Sequence, residues 1–305
     1  MARKALLGNL TDSDLRLLRV FRSVAACGGF AAAELELNIN RSTISRHIKD
    51  LETRLGVTLC RRGRGGFALT NEGAQVLGSA QRMMAAMADF QHEVDELHQR
   101  LTGSIAVAIF DKTASNPHCH ISRAFARFDE QAPDVHPELY VQPINAIEAG
   151  IMEGRFHLGI IPTHRHSSSL EYYRLFDEQM YLYCAANHPL YSPGSDVIDL
   201  GAVRGYRYVG IGHHSPNMEI TRELGLQRHA TAHDQESVAL LVLSGKYLGF
   251  LPEHYAESFV TRGLIRPVLP AALQYVCEFS AIVRHAPPPT RVVQTLLDAL
   301  VAVHS

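Results

Sequence analysis

The residues from Gly28 to Gly73, GGFAAAELELNINRSTISRHIKDLETRLGVTLCRRGRGGFALTNEG, constrain this chain more than any other stretch. Phe30 to Leu37 forms a short helix, with Ala32 and Ala33 small enough for a second helix to cross closely. Asn38-Ile39-Asn40 breaks it, because asparagine tolerates a left-handed turn and caps helix N-termini. Ile39, between them, is expected to be buried. From Arg41 to Leu55 the apolar residues Ile44, Ile48, Leu51 and Leu55 fall on one helical stripe. The opposite face carries Arg41, Ser42, Thr43, Ser45, Arg46 and Lys49. Short hydrogen-bonding groups at the N-terminal end and cations throughout suit a helix in a DNA major groove, reading bases and meeting phosphates. Gly56 ends the helix. Two short strands, Val57–Cys60 and Phe67–Thr70, are then expected around the basic tip Arg61-Arg62-Gly63-Arg64-Gly65-Gly66. Such a hairpin is a wing, its Arg61, Arg62 and Arg64 placed to grip a backbone or enter the minor groove.

Charge distribution agrees. The net charge of the 305 residues is −2. Residues 1–70 hold 12 Lys/Arg against 6 Asp/Glu, and the remainder 17 against 25. A basic head on an acidic body is the footprint of a nucleic-acid-binding domain attached to something else. The five cysteines (Cys27, Cys60, Cys119, Cys184, Cys277) are odd in number and widely spaced, with no C-x-x-C. This argues against a disulfide framework and a zinc finger, and fits a reducing compartment. Met1 to Asn9 is too short and too weakly apolar for a secretory signal, and no apolar run is long enough to span a membrane. The expected location is the cytoplasm.

Thr11-Asp12 caps a first helix over residues 12–27, with Leu15, Leu18, Phe21, Val24 and Ala25 on its buried face. After the wing, Thr70-x-x-Gly73 opens a long helix running to about Leu101. Leu77, Ala80, Met84, Met87, Gln91, Val94, His98 and Leu101 follow a 3,4 spacing, and Val76, Met83, Phe90 and Leu97 form an adjacent row. So wide a stripe must find a partner, either a second helix or the chain's own body. Thr102-Gly103 reads as a hinge. Beyond it, strands at Ile105–Phe110, Leu139–Val141 and Leu158–Ile161 alternate with helices at Ile121–Phe128 and Asn145–Glu153, which predicts a doubly wound parallel sheet. A second set comprises strands at 180–185, Tyr208–Ile211 and Tyr247–Leu251 with a helix at Glu236–Ser244. The chain returns through Tyr275–Val283 to a helix over Thr290–Val303.

Residues 11–73 resemble the winged helix-turn-helix domain of the LysR-type transcriptional regulators. The pattern is Phe30-x-x-Ala33, Leu37-Asn38-Ile39-Asn40-x-Ser42-x-Ile44-Ser45-Arg46-x-Ile48-x-x-Leu51-Glu52, Leu55-Gly56-Val57-x-Leu59 and Leu69-Thr70-x-x-Gly73. Two positions depart from it: Cys60 stands where Phe is usual, and Arg41 where Gln is frequent. Arginine there favours guanine O6/N7 at the contacted base. Glu153-Gly154-Arg155, Asn187-His188-Pro189-Leu190 and Gly245-x-x-x-Gly249-Phe250-Leu251-Pro252 match landmarks of the family's effector domain, with His157 where Asp is usual. The resemblance implies an α/β chain: a mostly helical head over 1–70, a dimerising linker helix over 71–101 and an effector domain over 102–305. That domain has two lobes, residues 104–177 with 284–305 and residues 178–283, similar to periplasmic solute-binding proteins. The implied function is ligand-responsive transcriptional regulation. The implied partners are double-stranded DNA, an unidentified small effector such as a small organic anion, further copies as homodimer or homotetramer, and RNA polymerase. No cofactor and no membrane is implied.

A ligand of an open α/β sheet binds beyond the carboxyl ends of the strands. Five loops qualify: Asp111–Asn116, Gln142–Asn145, Pro162–His166, Gly212–Asn217 and the turn at Phe250-Leu251-Pro252. They offer Thr113, Ser115, Asn145, Thr163, His164, His213, His214, Ser215 and Phe250, and helix N-termini there could receive an anion. Ile144 stands where some family members have a hydroxyl. The histidine pairs His118/His120, His164/His166 and His213/His214 leave a metal-responsive alternative, and the cysteines a redox-responsive one. No histidine pair in these loops has helical ligand spacing. No G-x-S-x-G, P-loop, strand-borne G-x-G-x-x-G or H-E-x-x-H is present, so an enzyme is not expected. A plain small-molecule binding protein fits the body but not the basic head.

Overall fold

A computed structural model describes residues 8–63, 66–97, 101–163, 165–191, 199–212 and 215–305. The chain divides between residues 90 and 91 into two compact units.

The first unit begins with α1 (Asp12–Ala26), α2 (Phe30–Leu37) and α3 (Arg41–Leu55). Their core is Leu17, Leu18, Phe21 and Val24 of α1, Phe30 and Ala33 of α2, and Ile44, Ile48 and Leu51 of α3. Asn38 takes the left-handed conformation at φ 51°, as the turn requires, and Gly56 closes α3 at φ 71°. The hairpin follows as β1 (Cys60–Gly63) and β2 (Gly66–Leu69). Its first strand starts three residues later than expected, whereas its second starts one residue earlier. The amides of Leu59 and Cys60 donate to Glu52 Oε1 on α3, which holds that segment to the helix. The ladder instead pairs Arg61 with Ala68 and Arg62 with Phe67, so two arginines belong to the strand rather than the tip.

The long helix, α4 (Asn71–Leu97), crosses the division between the units. Val76, Leu77, Ala80, Met83 and Met84 pack on the head's own core. Met87, Phe90 and Val94 remain exposed. The first half of the stripe thus packs on the head rather than on the body, and the second half leaves its apolar row uncovered within the chain.

The second unit contains β3 (Thr102–Ile109), α5 (Ile121–Gln131), β4 (Asp134–Val141), α6 (Ile144–Met152), β5 (Leu158–Pro162) and β6 (Leu170–Ala185). It continues with α7 (Leu200–Arg204), β7 (Tyr208–Ile211), α8 (Pro216–Glu223), β8 (Arg228–Ala232), α9 (Gln235–Leu243), β9 (Gly249–Pro252), α10 (Glu253–Thr261), β10 (Ile265–Pro267), β11 (Gln274–Arg284) and α11 (Arg291–His304). The sheet order is β10-β6-β11-β5-β3-β4, with β9 also on β6. Strand β3 pairs in parallel with β4 and β5, as a doubly wound sheet requires. Beyond them the expectation of a parallel sheet fails, because β11 is antiparallel to both β5 and β6. Strand β6 starts at Leu170 rather than residue 180 and runs sixteen residues. Its first part, LEYYRLFDEQ, mixes buried, half-buried and exposed residues and shows no continuous apolar run. The expected lobe boundary at 177/178 thus falls inside one strand, and β6 and β11 carry a shared sheet across it.

One core spans β3, α5, α6, β5, much of β6 and β11, and α11. A separate core lies in the second lobe, with Tyr183, Val209, Ile211, Val238, Val242, Leu251 and Ile265. Gly245 explains its place before β9: it sits at φ +72°, and a Cβ there would lie 1.9 Å from Asn187 Oδ1. His157 also has a role. The Ala106 amide donates to its Nδ1 at 2.9 Å, while its own amide donates to Ala106 O at 2.8 Å. The ring accepts the edge hydrogen bond an aspartate could take, which fixes the tautomer with hydrogen on Nε2.

Candidate functional site

The basic face of α3 is built from its N-terminus. Asn40 Oδ1 accepts from Thr43 N at 2.9 Å and from Ser42 Oγ at 2.6 Å, which anchors the first turn. The Arg41 amide donates to Glu34 Oε1 on α2 at 3.1 Å, tying the two helices across the turn. Arg41, Ser42, Arg46 and Lys49 are exposed, Thr43 and Ser45 are half-buried, and Ile44, Ile48 and Leu51 are buried behind them. A row of donors and cations therefore stands clear of the fold on a rigid support.

The wing is tied to the same support. The rings of Phe67 on β2 and Phe30 on α2 meet edge-on, with centroids 5.9 Å apart. Arg61 is exposed on β1, and Arg62 pairs with Phe67 in the ladder. Arg64 lies outside the described residues. Arg54 of α3 donates to both carboxylate oxygens of Asp14 at 2.7 and 2.5 Å. Asp14 is 2% exposed. Arg54 first, and then the Thr11 hydroxyl, hold its carboxyl down at about 2. The sequence reading placed the cap at Thr11-Asp12, whereas the structure forms a capping box between Thr11 and Asp14; nothing pointed to Arg54, forty residues on.

In the second unit the loop after β3 meets the second lobe. Asp111 Oδ2 accepts from the Gln235 amide at the start of α9, at 2.8 Å. Lys112, left-handed at φ 61°, pairs with Glu236 of α9, and its ammonium lies 4.8 Å from the Tyr255 ring centroid on α10. Tyr255 also donates to Glu236 Oε2 at 2.9 Å. Ser115 Oγ lies 2.8 Å from His254 Nδ1, and His254 Nε2 lies 2.9 Å from Glu178 Oε1. Glu178 is 3% exposed, and desolvation pushes its carboxyl upward against the pull of His254. Desolvation also raises Asp111, to about 6, which the Gln235 amide only partly offsets. Beside this cluster, Ser115, His118, Asp177, Tyr181, His254 and Glu257 line a groove of about 590 Å³.

The expected effector residues separate on this frame. Ser115 is exposed at the groove, and Thr113 is buried in a single helical turn next to it. Asn145 is exposed at the start of α6. Thr163 donates to Ser280 Oγ at 2.8 Å and is spent on joining β5 to β11. Phe250 is 2% exposed and packs edge-on against Tyr208 and Tyr275, so it is a core residue rather than part of an open wall. Strand β9 is covered on both faces, which sends Phe250 into one core and Leu251 into the other. His164, His213 and His214 lie outside the described residues. Asp111, Lys112, Glu178, Gln235, Glu236 and His254 were not singled out as ligand contacts. They meet across more than 70 positions of chain, a separation at which local spacing carries no signal.

Among the described residues no group of three His, Cys, Asp or Glu could hold a metal ion. His120 instead stacks on His304, centroids 5.4 Å apart, and its amide donates to His304 Nε2. All five cysteines are thiols. Burial pushes the Cys119, Cys184 and Cys277 thiols up, away from the reactive thiolate a redox sensor needs.

A helix-turn-helix head with a basic reading face, joined to a two-lobed α/β domain with a cleft, defines a ligand-responsive DNA-binding protein. The bacterial regulatory helix-turn-helix family of lysR type matches residues 15–74, and the LysR substrate binding domain matches residues 98–305. The chain belongs to the LysR family of transcriptional regulators, and it is not an enzyme. It is 37% identical over 299 residues to the transcriptional activator BauR of Pseudomonas aeruginosa, covering 98% of each chain. The structure of CbnR, a LysR family regulator, aligns with TM-score 0.65 at 18% identity over 95% of this chain and 99% of that one. CbnR complexed with its target DNA aligns with TM-score 0.64 at 18% identity, with the same coverage.

Proposed function

We propose that the chain lays α3 in the major groove of duplex DNA, with Arg41, Ser42, Thr43 and Ser45 toward base edges and Arg46 and Lys49 toward phosphates. Arg61, Arg62 and Arg64 of the wing hold the adjacent backbone. One observation carries this reading: an exposed polar and cationic row lies directly over the buried Ile44, Ile48 and Leu51. The solved complex of CbnR with its target DNA supports it. The domains are the head over 1–70, the linker helix over 71–101 and the effector domain over 102–305; the two family matches end at residue 74 and resume at residue 98, with most of α4 between them. Homodimers or homotetramers form through the exposed stripe of α4, and pairing gives two reading helices for a two-fold-related site. The name of BauR supports activation of transcription as the outcome, with RNA polymerase as the further partner. The setting is the cytoplasm; among the described residues no helix is long and apolar enough to cross a membrane. A small effector in the cleft beside Asp111 and Ser115 shifts the arrangement of the two lobes, because it binds one arrangement better than another.

The test is DNA binding by the intact chain across a salt series, using duplex from beside its own gene. Affinity is expected to fall with a log–log slope of about −0.9 per phosphate neutralised. Arg46→Ala should weaken every duplex alike and flatten that slope. Arg41→Ala should cost about 1–3 kcal/mol and erase a preference for guanine at one position. A salt-independent affinity would remove the proposal.

A further inference from the structure

Where the loop after β3 meets α9, two acids stand together. Asp111 and Asp234 both sit at the N-terminus of α9: Asp111 accepts from the Gln235 amide, and Asp234 Oδ1 accepts from the Ser237 amide at 2.6 Å. Two carboxylates thus occupy the positive end of the helix where a bound acid would be stabilised. What is left over is acceptor capacity. Asp111 Oδ1 and Gln235 Oε1 are both shut away from solvent, and neither has a hydrogen-bond partner among the described residues. Gln235 itself is only 5% exposed. A buried carboxylate oxygen with nothing donating to it is costly. The neighbouring cation does not meet the need, because Lys112 is engaged by Glu236 and by the Tyr255 ring. The acids around Asp111 add to the deficit: Asp234 precedes α9, and Glu178 stands on β6.

We propose that the effector carries an ammonium group and that Asp111 Oδ1 is its acceptor, with Gln235 Oε1 as the second. This rests on the inter-lobe cleft being the effector site. It replaces the simple organic acid expected from helix N-termini with a ligand that bears a positive charge where it meets Asp111. An ammonium placed there supplies the missing donor and offsets the charge in one contact. The linkage has a definite sign. Burial leaves Asp111 protonating at about 6, so an ammonium binds the ionised form and its affinity grows as pH rises through that value. The charged and titratable groups facing Asp111 are Lys112 on its own loop, Asp234 at the start of α9, Glu178 on β6 and Tyr255 on α10.

The experiment is thermal unfolding of the intact chain with matched pairs of small molecules differing by an amine: ethanolamine against ethylene glycol, putrescine against 1,4-butanediol, and 4-aminobutyrate against butyrate. At least one amine is expected to raise Tm where its partner does not. Below pH about 6 its affinity should fall by up to ~10-fold per pH unit. Asp111→Asn keeps an acceptor for the Gln235 amide and should lose both the amine shift and its pH dependence. If amine and non-amine raise Tm equally, the cleft binds ligands but the ammonium is wrong. If no probe raises Tm, or Asp111→Asn still responds, the proposal also falls. Should the variant unfold, a pH-independent amine shift in the parent chain decides against it. Binding of a labelled duplex, measured alongside, reports separately on the DNA-binding function.

Discussion

Asp14 stands at the third position of α1, buried, and is still ionised because Arg54 meets both its oxygens. The pair locks α1 to α3. Folding holds this carboxyl at about 2, whereas the unfolded chain protonates it near 3.8. Its contribution is therefore present above that unfolded value and fades as acid carries the protein down toward pH about 2. Asp14→Asn should lower the Tm of the head at neutral pH by several degrees, and the gap from the parent should narrow in acid. An unchanged Tm at neutral pH would show the brace to be dispensable. Arg41 poses a different question at the same scale. Its backbone is pinned by Glu34 while its side chain is exposed, so the Arg41→Ala experiment above tests recognition rather than folding.

At the scale of elements, the join between wing and linker helix depends on close backbone approach. Thr70 Oγ1 donates to Thr58 O at 2.6 Å and accepts from Gly73 N at 2.8 Å, capping the start of α4. A Cβ at Gly73 would lie 1.9 Å from Leu59 O, which is backbone and cannot swing aside. Gly73→Ala should cost about 3 kcal/mol, the upper end for forced overpacking, and weaken DNA binding through the displaced wing. Calorimetry of the variant, with duplex binding beside it, checks both effects. The same logic makes β6 and β11 the structural tie between the lobes, since each strand contributes to the sheet on both sides of the expected boundary.

At the scale of the molecule, α4 leaves Met87, Phe90 and Val94 exposed, with Phe90 at 64%. An apolar row of this kind on a long helix calls for a second copy. Phe90→Glu should shift the chain toward monomer in sedimentation and, by separating the two reading heads, reduce affinity for a two-fold-related site far more than for a single half-site. Equal loss at both would place the defect in the head itself.

How much of this was legible in the sequence follows the range of the interactions. Residue identity and local spacing determined the helices of the head, the turn at Asn38–Asn40, the basic face of α3 and the β-α alternation after Thr102, because each rests on contacts within a few positions along the chain. Tertiary structure alone decided that Glu52 draws the chain at Leu59 onto α3 and delays the first strand of the hairpin, and that β6 begins ten residues early. It also decided that Phe250 turns inward and that Asp111 meets the start of α9 with one oxygen unmatched among the described residues. Those outcomes depend on groups distant in sequence competing for the same buried space and the same hydrogen bonds, a competition settled only when the chain is folded.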